Sequence, residues 1–302
     1  MQTSKATLSQ INLRIGPYEL KAVPTGEFGL DGGAMFGTVP KVLWSKTNPP
    51  DEANRIPMEA RALLLKSKDR NILIDTGNGS DFTEKYGDKM GSKFAEMYAV
   101  DPSKASLLKS LKQHGLSPED ITDVILTHLH FDHAGGATCA KDGKIVPTFP
   151  KAKYYVQKKN LEIARNPNIR EKASYLKPNF EPLVKAGVLN LLDGDVENLF
   201  PNVSVLVSNG HTEAQQIVKV ADANTGILYA ADVIPTSTHI RSAWIMGYDL
   251  DPLTIIKEKR AFLKEAVQNS WFIYFEHDPY CDLSSVEAEK DDFKAKERFH
   301  LS

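Results

Sequence analysis

The most informative segment of this sequence is Thr127-His128-Leu129-His130-Phe131-Asp132-His133, which holds three imidazoles and one carboxylate. Neutral imidazole is the commonest protein ligand for zinc and similar ions, and carboxylate supplies a hard oxygen ligand. A helical zinc motif spaces its two histidines four apart, as in H-E-x-x-H, whereas His128 and His130 are two apart. The stretch therefore predicts a metal site that is not built on a single helix.

The residues on either side indicate how this stretch folds. The apolar run 123–126 predicts a buried strand directly before it. The first two histidines should leave the end of that strand on the same side. Gly135 and Gly136 allow a tight turn into a short helix that carries the aspartate and the third histidine. All four side chains are expected around one cavity, and this hypothesis is favoured over a chance cluster on a solvated loop.

Composition limits the classes of function. The 302 residues, 41% of them hydrophobic, can bury a large core, and a net charge of -2 gives no reason to expect nucleic acid or membrane as a partner. The sequence has no run of about 18 apolar residues, so no transmembrane helix is expected. Because Met1-Gln2-Thr3-Ser4-Lys5-Ala6 is not followed by the apolar core of a signal peptide, a cytoplasmic location is expected. Cys139 and Cys281 are too few for a disulfide framework and are expected to be small buried residues.

The histidine-rich stretch resembles the H-x-H-x-D-H signature of the metallo-β-lactamase superfamily, a group of binuclear metal hydrolases with an αββα sandwich. Matching later motifs occur in the family's order: Asn209-Gly210-His211-Thr212, Tyr229-Ala230-Ala231-Asp232 and Phe275-Glu276-His277-Asp278. The motif at residues 71–77 matches a further family element, whose aspartate, here Asp75, normally orients a ligand. The resemblance covers residues from about 10 to about 280.

This resemblance implies two divalent metal ions. The expected ligands are His128, His130 and His211 for one ion, Asp132, His133 and His277 for the other, and Asp232 as a bridge. Two such ions would lower the pKa of a shared water and so supply a hydroxide nucleophile. Asp132 and Asp232 are the expected catalytic residues, with Asp132 passing a proton to the leaving group. Zinc is the default metal, and iron, manganese or cobalt would suit the same ligands.

The expected fold class is α+β: a four-layer αββα sandwich in which two mixed sheets pack face to face with helices outside. Without an evident linker, residues 1–302 are predicted to form a single domain. Strands are expected at residues 11–15, 18–23, 60–66, 71–74, 153–157, 188–192, 203–208, 216–221, 226–230 and 271–275, and helices at 103–113 and 251–268. The tail 284–299, rich in charges of both signs, predicts a solvated edge segment.

The substrate pocket has weaker signals. The segment 28–41 is rich in glycine and apolar residues, which predicts either a structural loop over the core or a flexible apolar flap that would suit an acyl chain. The candidate pocket residues are Phe28, Met35, Phe36, His239, Tyr248 and Tyr280. For His239, a pocket position and a surface position remain open.

Residues 31–44, with 230–235 and 277–280, resemble a quorum-quenching branch of the superfamily that opens N-acyl-homoserine lactones. The implied partner is a small lactone or ester, and a homodimer is compatible with the sequence. One departure is Pro235, which stands where better-known lactonases carry a tyrosine three residues after the bridging aspartate. A residue such as Tyr248, Tyr280 or His239 would have to replace that phenol, or the substrate differs.

Several other activities remain as alternatives. The same branch resembles aryl ester and organophosphate hydrolases, which share the metals and an aromatic pocket. A β-lactamase is disfavoured because no cysteine replaces a proposed histidine ligand, and a nuclease because basic clusters are lacking. A di-iron oxidoreductase scaffold would call for a flavin domain, for which 302 residues leave no room. A non-enzymatic metal-binding module is the remaining alternative.

Overall fold

A computed structural model describes residues 8–101, 103 and 106–302. The strands are β1 (Ser9–Ile11), β2 (Leu13–Ile15), β3 (Tyr18–Asp31), β4 (Arg55–Lys66), β5 (Asn71–Ile74), β6 (Asp123–Ile125), β7 (Thr138–Lys141), β8 (Lys144–Pro147), β9 (Lys153–Gln157), β10 (Leu189–Leu192), β11 (Val196–Phe200), β12 (Val203–Ser208), β13 (Gln215–Ala221), β14 (Gly226–Tyr229), β15 (Phe272–Tyr274), β16 (Leu283–Glu289) and β17 (Asp292–Leu301). The α-helices are α1 (Gly32–Phe36), α2 (Lys41–Trp44), α3 (Phe82–Tyr86), α4 (Asp88–Met97), α5 (Leu107–Gln113), α6 (Phe131–Ala134), α7 (Lys158–Arg165), α8 (Glu181–Lys185) and α9 (Pro252–Asn269).

Most of the strands form two large mixed sheets. The eight-stranded sheet has the order β1-β17-β16-β15-β14-β13-β12-β11, and the seven-stranded sheet has the order β10-β9-β6-β5-β4-β3-β2. In the first sheet β14 and β15 are parallel, whereas β12, β13 and β14 are antiparallel neighbours. In the second, β5, β6, β9 and β10 run parallel, and β2 to β5 form an antiparallel meander.

The main core lies between the two sheets. Leu63 and Leu65 of β4 share a buried cluster with Val218 and Val220 of β13, which belongs to the other sheet. Leu64 belongs to a different cluster, on the outer face of the seven-stranded sheet. This division follows from the strand geometry, in which successive side chains point to opposite faces. A strand that is apolar at consecutive positions is therefore buried on both faces.

Helices cover the two outer faces. Leu107 and Leu111 of α5 pack with Leu64 over the seven-stranded sheet. On the other side, Leu263 of α9 packs with Leu228 of β14. The order of layers is helix, sheet, sheet, helix, so the predicted α+β fold, a four-layer αββα sandwich, is confirmed.

The strand directions place several polar residues at the same end of the sandwich. Asp75 directly follows β5 and His128 lies just after β6, the parallel neighbour of β5. His211 follows β12, Asp232 follows β14 and His277 follows β15, and these three strands run in one direction. Side chains far apart in the sequence are therefore brought together by the carboxyl ends of co-directional strands.

The tail 284–299 does not have the structure predicted from the sequence. Instead of a solvated segment, β16 and β17 form an antiparallel hairpin within the eight-stranded sheet. Its charges pair with one another: Lys294 Nζ lies 3.3 Å from Glu287 Oε1 and 2.8 Å from Glu289 Oε1. The prediction was wrong because these charges obscure the apolar positions, such as Val286, that pack against α9.

Other segments also differ from their predictions. Residues 28–41 are not an open flap, because β3 continues to Asp31 and α1 follows with Met35 and Phe36 buried. The helix predicted over 103–113 begins at Leu107, where Ser106 caps it. Its predicted residues 104 and 105, like the N-terminal residues 1–6, lie outside the described residues. Across the part of the chain that is described, no helix combines the length and apolarity that a membrane span requires.

Candidate metal centre

The loop after β5 holds the histidine-rich stretch in place. Asp75 is fully buried, and its carboxylate accepts hydrogen bonds from the Thr127 backbone N–H at 2.7 Å and the Thr127 hydroxyl at 2.6 Å. The next residue, Thr76, donates from both its backbone N–H (2.8 Å) and its hydroxyl (2.7 Å) to the His133 carbonyl. The start and the end of the stretch are thus fixed to the same loop.

The first group of converging atoms comprises three imidazole nitrogens and one carboxylate oxygen. His130 Nδ1 lies 3.0 Å from His128 Nε2 and 3.3 Å from His211 Nε2. Asp232 Oδ2 lies 3.1 Å from His211 Nε2 and 3.9 Å from His128 Nε2. The four side chains are buried and together form a group able to hold a metal ion.

The second group shares Asp232 with the first. Its other oxygen, Oδ1, lies 3.2 Å from His277 Nε2 and 3.5 Å from His133 Nε2, and these two nitrogens are 3.2 Å apart. Asp132 completes the group, with Oδ2 3.7 Å from His277 Nε2. The structure thus brings together all seven side chains expected from the sequence as metal ligands, in the two expected sets.

The geometry fits divalent cations. Two ligand atoms that share one zinc ion in tetrahedral geometry lie about 3.3 Å apart, given zinc–nitrogen distances of about 2.0–2.1 Å. The distances given above, from 3.0 to 3.9 Å, bracket that separation. Asp232 Oδ1 is also buried and makes no hydrogen bond with any described residue. A buried carboxylate oxygen without a donor is costly, and a cation between these atoms would satisfy it.

At His211, His277 and His133 the opposite ring nitrogen has a partner of its own. His211 Nδ1 lies 3.0 Å from Asp249 Oδ1, and His277 Nδ1 lies 2.9 Å from a backbone carbonyl oxygen, that of Glu59. His133 Nδ1 lies 2.8 Å from Glu276 Oε2 and 3.1 Å from Asp75 Oδ2. Such partners fix the orientation of a metal-binding imidazole and leave its other nitrogen free to coordinate.

The charges of the buried groups depend on one another. Burial disfavours a charged imidazole at His211, but Asp232 and Asp249 outweigh it and raise the pKa to about 10. At His277 burial is also outweighed, chiefly by Asp232, and the pKa rises to about 9. Burial would raise the pKa of Asp232, yet the surrounding imidazoles hold it well below its usual range. The centre therefore stabilises positive charge, which is the electrostatic requirement for binding a cation.

A cavity of about 360 Å³ opens onto both groups. Five of the proposed ligands reach its surface, namely His130, Asp132, His211, Asp232 and His277. Apolar side chains form part of its wall: Leu30, Met35, Phe131 and Met246. The remaining lining residues are Tyr98, Arg170, Glu171, Ser174, Gly247 and Tyr248. Of the pocket residues expected from the sequence, Met35 and Tyr248 line this cavity.

The other candidate pocket residues do not line it. Phe28 packs edge-on against His277, with ring centroids 5.5 Å apart. Phe36 is fully buried and stacks on His239 at 4.6 Å. His239 is itself fully buried, and its Nε2 lies 2.8 Å from the carbonyl oxygen of Met35, a residue of the cavity wall. Tyr280 is half-buried outside the lining residues.

Sequence reasoning missed several residues of the site. Glu276 stands beside His277 within a quoted motif, so a signal for it existed. Asp249 and Arg170 belong to no motif, and only the fold brings them to the centre. Glu171 is also unmarked in the sequence, yet it accepts a hydrogen bond from the Thr212 hydroxyl, and its Oε1 lies 3.9 Å from the Nε2 atom of a proposed ligand, His130.

Comparison with known proteins identifies the family. The sequence pattern of the metallo-beta-lactamase superfamily matches residues 56–277, more than half of the chain. The chain belongs to this superfamily. An N-acyl homoserine lactonase from a Bacillus species is 28% identical over 265 residues, which cover 86% of this chain and 93% of that protein.

Two solved structures agree with this membership in the metallo-beta-lactamase superfamily. A probable metal-dependent hydrolase from Staphylococcus aureus has a TM-score of 0.82 at 28% identity and covers 94% of this chain and 99% of its own. AidC, a dizinc quorum-quenching lactonase, has a TM-score of 0.75 at 23% identity and covers 97% and 99%, which shows the shared fold. This member of the superfamily is accordingly a metal-dependent hydrolase that binds divalent metal.

Proposed function

We propose that this hydrolase opens the lactone ring of N-acyl homoserine lactones and that its seven converging side chains hold two divalent ions, with zinc as the default metal. The observation that carries the substrate proposal is the composition of the cavity. Its polar floor consists of proposed ligands, and its wall includes Leu30, Met35, Phe131 and Met246. A substrate with a polar ring and an apolar tail matches this division. Relatives described as N-acyl homoserine lactonases support the same substrate class.

The proposed ligands have different roles in the reaction. Bound divalent ions supply an activated water and polarise the scissile carbonyl. Asp232 belongs to both groups, so its two oxygens set the spacing between them. Asp132 belongs to one group and also reaches the cavity surface. Its carboxylate is placed to accept a proton from the attacking water and to deliver it to the departing alkoxide oxygen.

The position that departs from better-known lactonases has a structural role here. The Pro235 carbonyl oxygen accepts a hydrogen bond from the His277 backbone N–H at 3.1 Å, and the residue is buried. Two phenols, Tyr98 and Tyr248, line the cavity. Neither hydroxyl bonds to another described residue, and each is free to donate to a substrate. We propose Tyr98, whose ring packs against Phe94 and Phe131, as the replacement for the tyrosine found in other lactonases.

A second candidate is supported by the aromatic side chains. Tyr98, Phe131 and Tyr248 all lie in the cavity wall, where they would also contact an aryl leaving group. Hydrolysis of aryl esters or organophosphates is therefore the alternative activity. The metal centre would perform the same role in both cases.

A substrate panel separates the two candidates. We expect kcat/KM to be highest for acyl-homoserine lactones and to rise from the butanoyl to the decanoyl compound, by up to about fourfold per buried methylene. The measurement compares these lactones with p-nitrophenyl acetate and paraoxon on one preparation of the protein. A preference for either aryl substrate, with little hydrolysis of any lactone, would favour the alternative and refute the proposal.

A further inference from the structure

One wall of the cavity is a short segment just before α9, Met246–Asp249. Its first three residues line the cavity. The Gly247 backbone N–H donates to the Ala34 carbonyl at 2.7 Å, and the Met246 N–H donates to Asp249 Oδ2 at 2.8 Å. These bonds fix both ends of the segment but involve no atom of the Tyr248 side chain.

Few contacts hold the side chain of Tyr248 in place. It is 40% exposed, its hydroxyl makes no hydrogen bond, and its ring stacks on no other aromatic ring among the described residues. The position of the ring over the cavity is therefore set mainly by the backbone on either side of it.

Arg170, which also lines the cavity, holds that backbone in place. Its Nη2 donates to the carbonyl oxygens of Gly247 and Asp249, the latter at 3.3 Å, and these two carbonyls flank Tyr248. The planar guanidinium has a fixed donor geometry, so it restrains the orientation of both peptides. Arg170 is itself anchored, because its backbone N–H donates to Asn168 Oδ1 at 2.9 Å.

We propose that Arg170 is a positioning residue that holds Tyr248 over the cavity and thereby sets the preference for acyl-chain length; the inference rests on the proposed function. Chains that reach past the metal centre contact the Tyr248 ring, whereas short chains end before it. The two hydrogen bonds from Arg170 to the Gly247 and Asp249 carbonyls form a clamp. Loss of this clamp weakens binding of long-chain substrates without changing the metal ligands. His211 keeps its partner Asp249, whose carboxylate is still held by the Met246 N–H.

The test is a double-mutant cycle with Arg170→Gln and Tyr248→Ala, assayed on butanoyl- and decanoyl-homoserine lactones. For Arg170→Gln we expect KM for the decanoyl substrate to rise about tenfold, the scale of one lost aromatic contact, while kcat and the butanoyl KM change less than about twofold. In the Tyr248→Ala background the same substitution should have no further effect. Arg165→Gln is the matched control, since that arginine pairs with Glu181 away from the cavity.

Two results would overturn the proposal. An equal rise of KM for both substrates would mean that chain length is not sensed through this clamp. An undiminished effect of Arg170→Gln in the Tyr248→Ala background would mean that Arg170 acts without Tyr248. If Arg170→Gln does not fold, Arg170→Lys keeps the charge but lacks the planar fork, and is expected to shift KM in the same way.

The same cycle separates this inference from the proposed substrate. If the wild-type protein hydrolyses neither lactone, the lactonase proposal fails. The cycle is then run with p-nitrophenyl butanoate and decanoate, whose acyl chains differ in the same way. A KM effect confined to the decanoate and dependent on Tyr248 supports the clamp, and its absence refutes the clamp.

Discussion

Asp232→Asn should lower kcat/KM by about a thousandfold or more, the scale expected when several kcal/mol of transition-state stabilisation is lost. Asp232 belongs to both groups of proposed ligands, through separate oxygens. Asparagine keeps the shape but replaces one oxygen with an N–H donor and removes the negative charge. That donor would face the imidazole nitrogens of His211 or His277, so one ion would lose its shared ligand.

The measurement is steady-state hydrolysis together with metal content and thermal unfolding of the same sample. Asp222→Asn is a matched control, because that carboxylate caps an exposed turn by accepting from Gly16 and Asn224 backbone N–H groups. The control should retain its rate within about twofold, as expected for a surface site. A wild-type rate in folded Asp232→Asn would refute the bridging role.

Arg61→Ala is expected to have the largest effect on stability, lowering the free energy of unfolding by about 3–5 kcal/mol. Arg61 is 4% exposed, and its Nε lies 3.1 Å from Asp282 Oδ1. Its Nη1 donates to the carbonyl oxygens of Phe275, Asp278 and Cys281, which surround the loop that carries a proposed ligand. Alanine would leave a buried carboxylate without its arginine partner and these carbonyls without this donor, which costs more than the pair contributes.

Urea denaturation of the variant and of Arg165→Ala gives the comparison. Arg165 forms an ion pair with Glu181 in which both side chains are substantially exposed, and exposed pairs contribute about 0–1 kcal/mol. We expect Arg165→Ala to unfold near the wild-type urea concentration and Arg61→Ala far below it. Similar midpoints for the two variants would show that the buried arginine does not organise this loop.

The convergence of the proposed ligands could be predicted from the sequence because each stands in a short motif that follows a strand and resembles a motif of the superfamily. The segment from His128 to His133 is recognisable by its residue types and their spacing. His211, Asp232 and His277 each follow a strand, and these strands run in the same direction. The strand-rich segments were predictable for the same reason, since apolar runs of four to six residues mark buried strands.

The partners of those ligands could not be predicted. Asp249 contacts His211 although the two are 38 positions apart in the sequence, and Arg170 contacts Gly247 at a separation of 77 positions. Neither has a local pattern, because the contact exists only once the loops after different strands are packed together. The pocket predictions for Phe36 and His239 were wrong for a related reason, whereas those for Met35 and Tyr248 were not. Phe36 and His239 are typical of a pocket by composition, but they stack on each other and fill the core behind the cavity.

The metal content of the purified protein, measured on the sample used for lactone hydrolysis, tests the central proposal most directly. The geometry predicts about two divalent ions per chain, loss of hydrolysis when a chelator removes them, and recovery when zinc is returned. Undiminished hydrolysis by a sample that elemental analysis shows to be free of metal would contradict it.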